Sequence, residues 1–234
     1  MKIEGKNAVL EAIKSGTTID KILCQKDVNH EIISLARQNK IKVQYVDKFT
    51  LDKNSGEKKH QGFIAYVSEF SYSSLEEILQ NKKERHFIVL LDGVEDPHNL
   101  GSILRVGECA GVDGLVIPLN RSVSVTDTVV RVSAGASNHV KVARVNSINN
   151  VIEKLKKLNI WIYCLEAEGQ SIYQTDLSGD IAFVIGGEGK GVSSLTKKLC
   201  DATVSLPMFG KINSLNASVA CGIALYEAVR RQMP

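Results

Sequence analysis

The pattern of hydrophobic and polar positions differs between the first third of the chain and the rest. In the first third, apolar residues at helical spacing predict helices over residues 4–16 and 28–39. Runs of β-branched and aromatic residues predict strands at 19–24, 42–46 and 62–70. A polar loop containing glycine separates the last two strands. This order of short elements indicates a small α/β domain.

From residue 86 the elements become longer and more regular. The run 86–94 is almost continuously apolar, which is typical of a strand buried on both faces of a parallel sheet. Later patterns predict helices at 101–111, 149–159 and 214–232 and strands at 113–118, 160–167 and 180–189. Strands that alternate with such helices indicate a mostly parallel sheet. We therefore predict three regions: an α/β domain at 1–70, a linker with a short embedded helix at 71–85, and a larger α/β domain at 86–234.

Composition excludes several classes of protein. The 234 residues are 44% hydrophobic and 24% charged, as in soluble globular chains. No stretch reaches the ~18 apolar residues that span a bilayer, and the charged N-terminus does not look like a secretory signal. The five cysteines are scattered without a CxxC pair, which argues against a disulfide framework and a zinc site. We expect reduced thiols, a cytoplasmic location and no bound metal.

The net charge of +3 is unevenly distributed. Residues 1–85 carry 15 Lys and Arg against 12 Asp and Glu, whereas residues 86–234 carry 14 of each. Nucleic-acid-binding domains are often more basic, with a pI above about 9. The charge therefore permits an RNA or DNA partner without requiring one, and it places the basic excess in the first domain.

Three segments that follow predicted strands are candidates for chemistry, because ligands gather at strand ends in open α/β sheets. The first segment, 91–111, places Asn99 near a helix start and Arg105 six residues later. Taken alone, Arg105 also fits the solvated outer face of that helix.

The second segment, 183–193, is rich in glycine around Glu188. It does not match a Walker A loop, because Gly191 rather than Ser or Thr follows Lys190, and it does not match a dinucleotide fingerprint. A glycine-rich turn that only joins a strand to a helix is the alternative.

The third segment, 204–222, carries Asn213, Ser214 and Asn216 before the final helix. Ser214 or Asn216 could simply cap that helix. The five histidines are scattered, so their spacing suggests neither a Ser-His-Asp set nor a metal site.

Together and in this order, the three segments resemble the motifs of the SpoU (TrmH-like) RNA 2′-O-ribose methyltransferases of the SPOUT superfamily. The matches are N-L-G-[ST]-I-x-R at Asn99–Arg105, G-x-E-G-x-G at Gly186–Gly191, and L-P-M-x-G-x-x-x-S-L-N at Leu206–Asn216. The first third is similar to the L30e-like substrate-binding domain of many members, with G-K-N-A-V-L-E-A at Gly5–Ala12 and H-Q-G-F-I-A at His60–Ala65.

The resemblance implies a C-terminal trefoil-knotted α/β domain that binds S-adenosyl-L-methionine and forms a homodimer. The small residues of the final helix would suit close packing there. By match, the cofactor-binding residues would be Gly186, Gly187, Gly189, Leu206, Met208 and Leu215. The RNA-binding residues, from the stretches that match the substrate-binding domain, would be Lys6, Lys58, Lys59 and His60.

The resemblance also implies a catalytic set. Its members would be Asn99, Arg105, Glu188, Ser214 and Asn216. A guanidinium has a pKa above about 12 and no acceptor when charged. We therefore expect Arg105 to fix the adjacent phosphate and polarise the 2′-hydroxyl, while the other four residues form a hydrogen-bonded frame.

The N-terminal matches are those of the subgroup that modifies a guanosine of 23S ribosomal RNA in the peptidyl-transferase region. A tRNA guanosine and another rRNA ribose, including an adenosine whose methylation confers antibiotic resistance, are alternatives. A non-catalytic RNA-binding module of the same fold is a third alternative, which the presence of Asn99, Arg105 and Glu188 disfavours.

Overall fold

The structure is a computed structural model that describes residues 2–26, 28, 31–55, 60–67 and 70–233. These residues form two compact units, and the boundary lies between Ser71 and Tyr72. Within the described ranges, no helix is both long enough and apolar enough to cross a membrane.

The first unit is built on a mixed four-stranded sheet. Its elements are β1 (Lys2–Glu4), α1 (Lys6–Lys14), β2 (Ile19–Gln25), α2 (Glu31–Gln38), β3 (Lys42–Val46), α3 (Lys48–Asn54) and β4 (Phe63–Val67). The strands lie in the order β1-β4-β2-β3, with β4 antiparallel to both neighbours and β2 parallel to β3. The sequence did not predict β1, because two of its three residues are charged and only pairing with β4 makes it a strand.

Helices cover both faces of this sheet. Val9 of α1, Ile32 of α2 and Ile22 of β2 are fully buried in one apolar cluster. On the opposite face, Leu51 of α3 packs with Leu23 of β2. Successive side chains of a strand point to opposite faces, so β2 contributes to both clusters. Each fully buried aliphatic side chain stabilises the fold by about 1.5–3 kcal/mol.

The second unit is an α/β domain. Its elements are α4 (Leu75–Gln80), β5 (Phe87–Asp92), α5 (Pro97–Ala110), β6 (Gly114–Pro118), α6 (Asp127–Val132), β7 (Lys141–Val145), α7 (Ile148–Lys157), β8 (Trp161–Ser171), β9 (Ile181–Gly186), α8 (Ser194–Leu199), β10 (Ala202–Ser205) and α9 (Ala217–Arg230). Short 3-10 turns lie at Ala136–Asn138 and Ile172–Gln174.

The sheet of the second unit is parallel throughout, as predicted, in the order β10-β8-β9-β5-β6-β7. β6 and β7 follow β5 towards one edge of the sheet. The chain then crosses to the other side of β5, where it forms β8, and β9 lies between β8 and β5. The carboxyl ends of β5 and β9 therefore lie side by side where the strand order reverses. Ligands bind at such a point in open α/β sheets. The trefoil knot stays a prediction.

The segment 71–85, expected to be a linker, belongs to the packed second unit from Tyr72 onward. Helix α4 begins with a capping box, in which the Ser74 hydroxyl accepts from the Glu77 N–H and the Glu77 carboxylate accepts from the Ser74 N–H. Leu75 and Ile78 are buried in the same apolar cluster as residues of β5, β6 and β7.

Arg85 ties the end of this segment to distant parts of the second unit. Its guanidinium donates to the carbonyls of Leu177 and Gly179, before β9, and to that of Ala228 in α9. Burial lowers the pKa of Arg85, and the neighbouring carboxylates oppose that change. The packed unit thus begins near residue 72 and includes Arg85, which the sequence-based boundary at 86 leaves out.

Helix α9 turns its small residues inward. The buried ones are Ala217, Cys221, Ala224 and Ala228. A Cβ atom added at Gly222 would lie 3.4 Å from Val106 of α5, so the two helices pack closely. The exposed apolar residues of α9 are instead Val219 and Tyr226, which are 50% and 49% exposed. Bulky residues, not the small ones, are therefore available to a partner.

Candidate functional site

The site forms where β5 and β9 end next to each other. The Gly187 N–H donates to the Asp92 carbonyl at 3.0 Å. A Cβ atom added at Gly187 would lie 1.9 Å from the Gly93 oxygen, and one at Gly186 would lie 2.2 Å from the Gly191 carbonyl carbon. No side chain fits at either position. These two glycines are therefore required for the chain to pack against itself, a reason that the sequence did not reveal.

A cavity of about 580 Å³ opens beside this crossing. All six residues expected to bind the cofactor line it: Gly186, Gly187, Gly189, Leu206, Met208 and Leu215. Glu188, Ser214 and Asn216 of the expected catalytic set line it as well. The second and third motifs, which are distant in sequence, therefore share one cavity.

The lining of the cavity fits a nucleoside-containing cofactor. Leu165, Ile185 and Ala220 supply apolar surface, and the segments 186–191 and 213–217 supply backbone polar groups. A cavity of this size lies within the usual range for small-molecule sites, roughly 300–1,000 Å³. A Cβ atom added at Gly189 would meet nothing within 4 Å, and its φ of +78° favours glycine.

Glu166, in the middle of β8 where its buried half ends, organises the glycine-rich loop. Its Oε1 accepts from the Val192 N–H at 2.8 Å, and Lys197 lies 3.7 Å from its other oxygen. A Cβ atom added at Gly191 would lie 2.8 Å from the same carboxylate. Sequence reasoning missed Glu166, because no motif marks it. Its position just after the apolar run of β8 was the available signal.

Three amide and carboxylate side chains from the three motifs form one hydrogen-bonded cluster. The Asn99 Nδ2 donates to the Glu188 Oε1 at 2.9 Å, and the Asn216 Nδ2 donates to the same oxygen at 3.0 Å and to the Asn99 Oδ1 at 2.9 Å. Asn99 is only 4% exposed. The Glu188 Oε2 accepts no hydrogen bond from the described residues, so it is open to a ligand.

Asn216 both caps helix α9 and belongs to the hydrogen-bonded cluster, the two roles that the sequence left open. Its Oδ1 accepts from the backbone N–H groups of Ser218 and Val219, which caps helix α9. Its Nδ2 donates into the cluster with Glu188. The cap fixes the side chain, and the fixed side chain orients the carboxylate.

A second cavity, of about 640 Å³, adjoins the first. Gly187, Glu188 and Lys190 line both cavities, whereas Asn99 and Arg121 line the second. The Asn99–Glu188–Asn216 cluster therefore stands between two spaces large enough for ligands.

Ser214, expected in the hydrogen-bonded frame, lines the first cavity but is not part of the cluster. Arg105 is the one member of the expected catalytic set that lines neither cavity. It lies on the exposed face of α5, outside both cavities, and it makes no hydrogen bond or ion pair in the described part of the chain. Its neighbour Val106 packs towards Gly222 of α9.

Two of the four residues expected to contact RNA, Lys58 and Lys59, lie outside the described residues. Lys6 is exposed at the start of α1, where its backbone N–H donates to the Gln61 Oε1 at 3.1 Å. An RNA contact through the Lys6 side chain stays a prediction.

His60 differs from its expected role. The residue is only 5% exposed. One ring nitrogen, Nε2, lies 3.0 Å from the Asp52 Oδ1, and the other, Nδ1, accepts from the Gly62 N–H at 3.0 Å. Because both nitrogens are engaged, His60 fixes the turn before β4 and has no free ring nitrogen for RNA.

Comparisons with known proteins agree with the geometry. Residues 86–226 match the family model described as the SpoU rRNA Methylase family, and residues 2–73 match the model described as RNA 2'-O ribose methyltransferase substrate binding. A relative in Staphylococcus saprophyticus, assigned to the TrmH family of tRNA/rRNA methyltransferases, is 44% identical over 98% of this chain and 95% of its own length. The Bacillus subtilis relative YacO, assigned to the same family, is 40% identical over the same shares.

Among solved structures, the SpoU methyltransferase AviRb from Streptomyces viridochromogenes, in complex with AdoMet, is 26% identical. The likeness covers 99% of this chain and 90% of that chain, with a TM-score of 0.65. A TrmH/SpoU tRNA-modifying enzyme from A. aeolicus is 26% identical over 67% of this chain and 83% of its own, with a TM-score of 0.57. The chain therefore belongs to the SpoU (TrmH) family of S-adenosylmethionine-dependent RNA methyltransferases.

Proposed function

We propose that this protein transfers a methyl group to the 2′-hydroxyl of a ribose in RNA, and that its target is a guanosine of 23S ribosomal RNA. The observation that carries the proposal is the position of the Asn99–Glu188–Asn216 cluster between two adjoining cavities. The description of the family model that matches residues 2–73 names 2′-O ribose methylation, which supports the choice of acceptor.

The bound cofactor supplies a methyl group on a sulfonium, which is already activated for displacement. The protein must therefore mainly align the acceptor oxygen with that methyl group. The open Oε2 of Glu188 accepts a hydrogen bond from the 2′-hydroxyl in the second cavity, and Asn99 and Asn216 hold the carboxylate in place. Arg121 and Lys190, which line the second cavity, supply positive charge near the nucleotide.

Arg105 enters this scheme through a homodimer. It is exposed on α5, which packs against α9, the helix that carries the exposed Val219. A partner subunit that covers these two helices would receive Arg105 near its own cluster. There the guanidinium would fix the phosphate next to the target ribose and polarise the 2′-hydroxyl. The permanent charge of a guanidinium suits this role better than the role of a base.

A tRNA guanosine is the second candidate target. The names of the curated relatives refer to tRNA as well as rRNA, and one solved structural neighbour is a tRNA-modifying enzyme. Either RNA would be met in the cytoplasm, where we place the protein.

Mass-spectrometric mapping of 2′-O-methyl groups in rRNA and tRNA, with and without the gene, tests both targets. We expect one guanosine of 23S rRNA to lose its methyl group when the gene is deleted, and to regain it with the wild-type gene but not with Glu188→Ala. If only tRNA loses a 2′-O-methyl group, the target is the second candidate, a tRNA guanosine, and not 23S rRNA. Loss of a base methyl group, or no loss in either RNA, would overturn ribose methylation.

A further inference from the structure

One face of the first unit carries an unbroken row of three lysines and a tyrosine. Pairing between strands places Lys2 of β1 beside Tyr66 of β4, Tyr66 beside Lys21 of β2, and Lys21 beside Lys42 of β3. Paired residues point to the same face of a sheet, and neighbouring strands lie about 4.8 Å apart, so the row crosses all four strands over roughly 14 Å.

The lysines of this row surround the tyrosine. The Lys21 Nζ lies 4.8 Å from the centre of the Tyr66 ring, and the Lys2 Nζ lies 5.7 Å from it. The Tyr66 hydroxyl donates to the Asn54 Oδ1 at 2.9 Å, and the Lys2 ammonium donates to the Asn54 carbonyl at 3.1 Å. The end of α3 therefore holds the aromatic ring in a fixed position among cations.

The lysines of the row are not paired with carboxylates among the residues that the structure describes. No carboxylate forms an ion pair with Lys2, Lys21 or Lys42 in the described part of the chain. Glu4, one step along the same face, accepts instead from the Ser55 hydroxyl at 2.5 Å. The opposite face is closed by α1 and α2. On this face, Leu51 of α3 packs with Leu23 and Ile64, and the partly buried Tyr66 lies against that cluster.

We propose that this row, Lys2–Tyr66–Lys21–Lys42, binds an unpaired stretch of RNA, with a base stacked on Tyr66 and phosphates against the lysines. Aromatic side chains that stack bases among basic residues are the general means of binding single-stranded nucleic acid. Double-stranded RNA offers no open base faces, so the row suits unpaired nucleotides. The choice of RNA as occupant rests on the proposed function, because a row of lysines alone would suit other polyanions.

The test uses the full-length protein and a fluorescein-labelled 12-nucleotide oligouridine, with binding measured by fluorescence anisotropy over a series of salt concentrations. Lys21→Gln/Lys42→Gln should weaken binding at least fivefold and reduce the slope of log affinity against log salt by about 1.4, since each lost phosphate contact on a single strand contributes about 0.7. The matched control, Lys14→Gln/Arg37→Gln, removes two exposed charges from α1 and α2 on the opposite side and should bind as wild type.

Tyr66→Leu should weaken binding roughly tenfold, in line with base–aromatic stacking measured by substitution elsewhere. Tyr66→Phe keeps the ring and should stay within twofold of wild type, which separates stacking from the hydrogen bond to Asn54. Thermal unfolding of each variant shows whether the unit is still folded. If Tyr66→Leu unfolds the first unit, the lysine variants and Tyr66→Phe still test whether the row binds RNA.

The proposal is overturned if the row variant binds oligouridine as tightly as wild type, or if the control pair weakens binding equally. It is also overturned if a 12-base-pair RNA duplex binds as tightly as the single strand, or if phosphatidylserine vesicles but not RNA bind through these lysines. A protein that methylates no RNA, but whose oligouridine binding still depends on the row, would contradict the proposed function and leave this inference standing.

Discussion

The Asn99 Nδ2 lies 2.9 Å from the Glu188 Oε1, although 89 positions separate the two residues. Asn99 belongs to the first turn of α5, after β5, whereas Glu188 follows β9. Only the insertion of β9 next to β5 brings these segments together. Asn216 then closes the cluster by donating to both partners. The orientation of the Glu188 carboxylate therefore depends on all three motifs at once.

Asn216→Asp separates the two roles of this side chain. Asp caps a helix about as well as Asn, so α9 should keep its start. The donations to Asn99 and Glu188 are lost, and a second carboxylate is placed beside Glu188. We expect turnover to fall more than tenfold, which corresponds to a loss of at least ~1.4 kcal/mol of transition-state stabilisation, with a nearly unchanged unfolding midpoint.

Asn216→Ala is the matched control, because it removes the cap as well. It should lose turnover to a similar extent and also lose about 0.5–2 kcal/mol of stability, measured by chemical denaturation. Wild-type turnover in Asn216→Asp would exclude the cluster from catalysis.

Gly187 and Gly189 should respond differently to substitution, although both line the cofactor cavity. Gly187→Ala places a methyl group 1.9 Å from the Gly93 oxygen, so the crossing of β5 and β9 must shift and both stability and cofactor binding should fall. The Cβ atom of Gly189→Val meets no protein atom within 4 Å, but valine strains a positive φ and adds bulk at the cavity lining. We expect it to abolish S-adenosylmethionine binding in calorimetry while the protein remains folded. Unchanged affinity in Gly189→Val would mean that this part of the loop is only a connector.

These two glycines show what a sequence can and cannot predict. The run after β9 predicted a ligand-binding loop, and the cavity lies there. The requirement for Gly187, however, comes from the backbone of Gly93, which only the three-dimensional crossing brings near. Glu166 was missed for the same reason, since its partner Val192 is known only from the folded loop. Buried apolar elements such as β5 were predictable, because their periodicity is a local property of the chain.

Arg105→Ala should abolish methylation and leave S-adenosylmethionine affinity nearly unchanged, because Arg105 lies outside the cavity that the cofactor residues line. Arg131→Ala, at an exposed position on α6, serves as the control for loss of one positive charge. Single-turnover rates and calorimetric affinities are the two measurements. Turnover above a tenth of wild type would mean that Arg105 lowers the activation free energy by less than ~1.4 kcal/mol, which would contradict its assigned role.

Mixing the two inactive variants tests whether sites are shared between subunits. In a two-fold symmetric dimer, a mixed pair of Arg105→Ala and Asn216→Asp chains would regain one intact site, and a fully exchanged sample about a quarter of wild-type activity. No recovery after verified subunit exchange would mean that Arg105 does not act across the interface.

The exposed face of α9 should hold the dimer together. Val219 and Tyr226 are two helical turns apart, and each is about half exposed. Val219→Glu/Tyr226→Glu places charges on this face and should shift the mass measured by light scattering towards the 25.6 kDa monomer. Leu158→Glu, which changes an exposed leucine after α7, is the control and should remain dimeric. A wild-type protein that is monomeric at micromolar concentration would refute the homodimer.

Truncation should show that the second unit reaches its full stability only when it begins near Tyr72. A fragment of residues 72–234 keeps α4, whose buried Leu75 and Ile78 each contribute about 1.5–3 kcal/mol, and it keeps Arg85 with its three carbonyl partners. We expect it to bind S-adenosylmethionine as the full chain does and to lose RNA binding. A fragment of residues 86–234 lacks these contacts and should unfold at a clearly lower denaturant concentration. Equal midpoints for the two fragments would show that 72–85 is a linker after all, and full methylation by the longer fragment would show that the first unit does not bind the substrate.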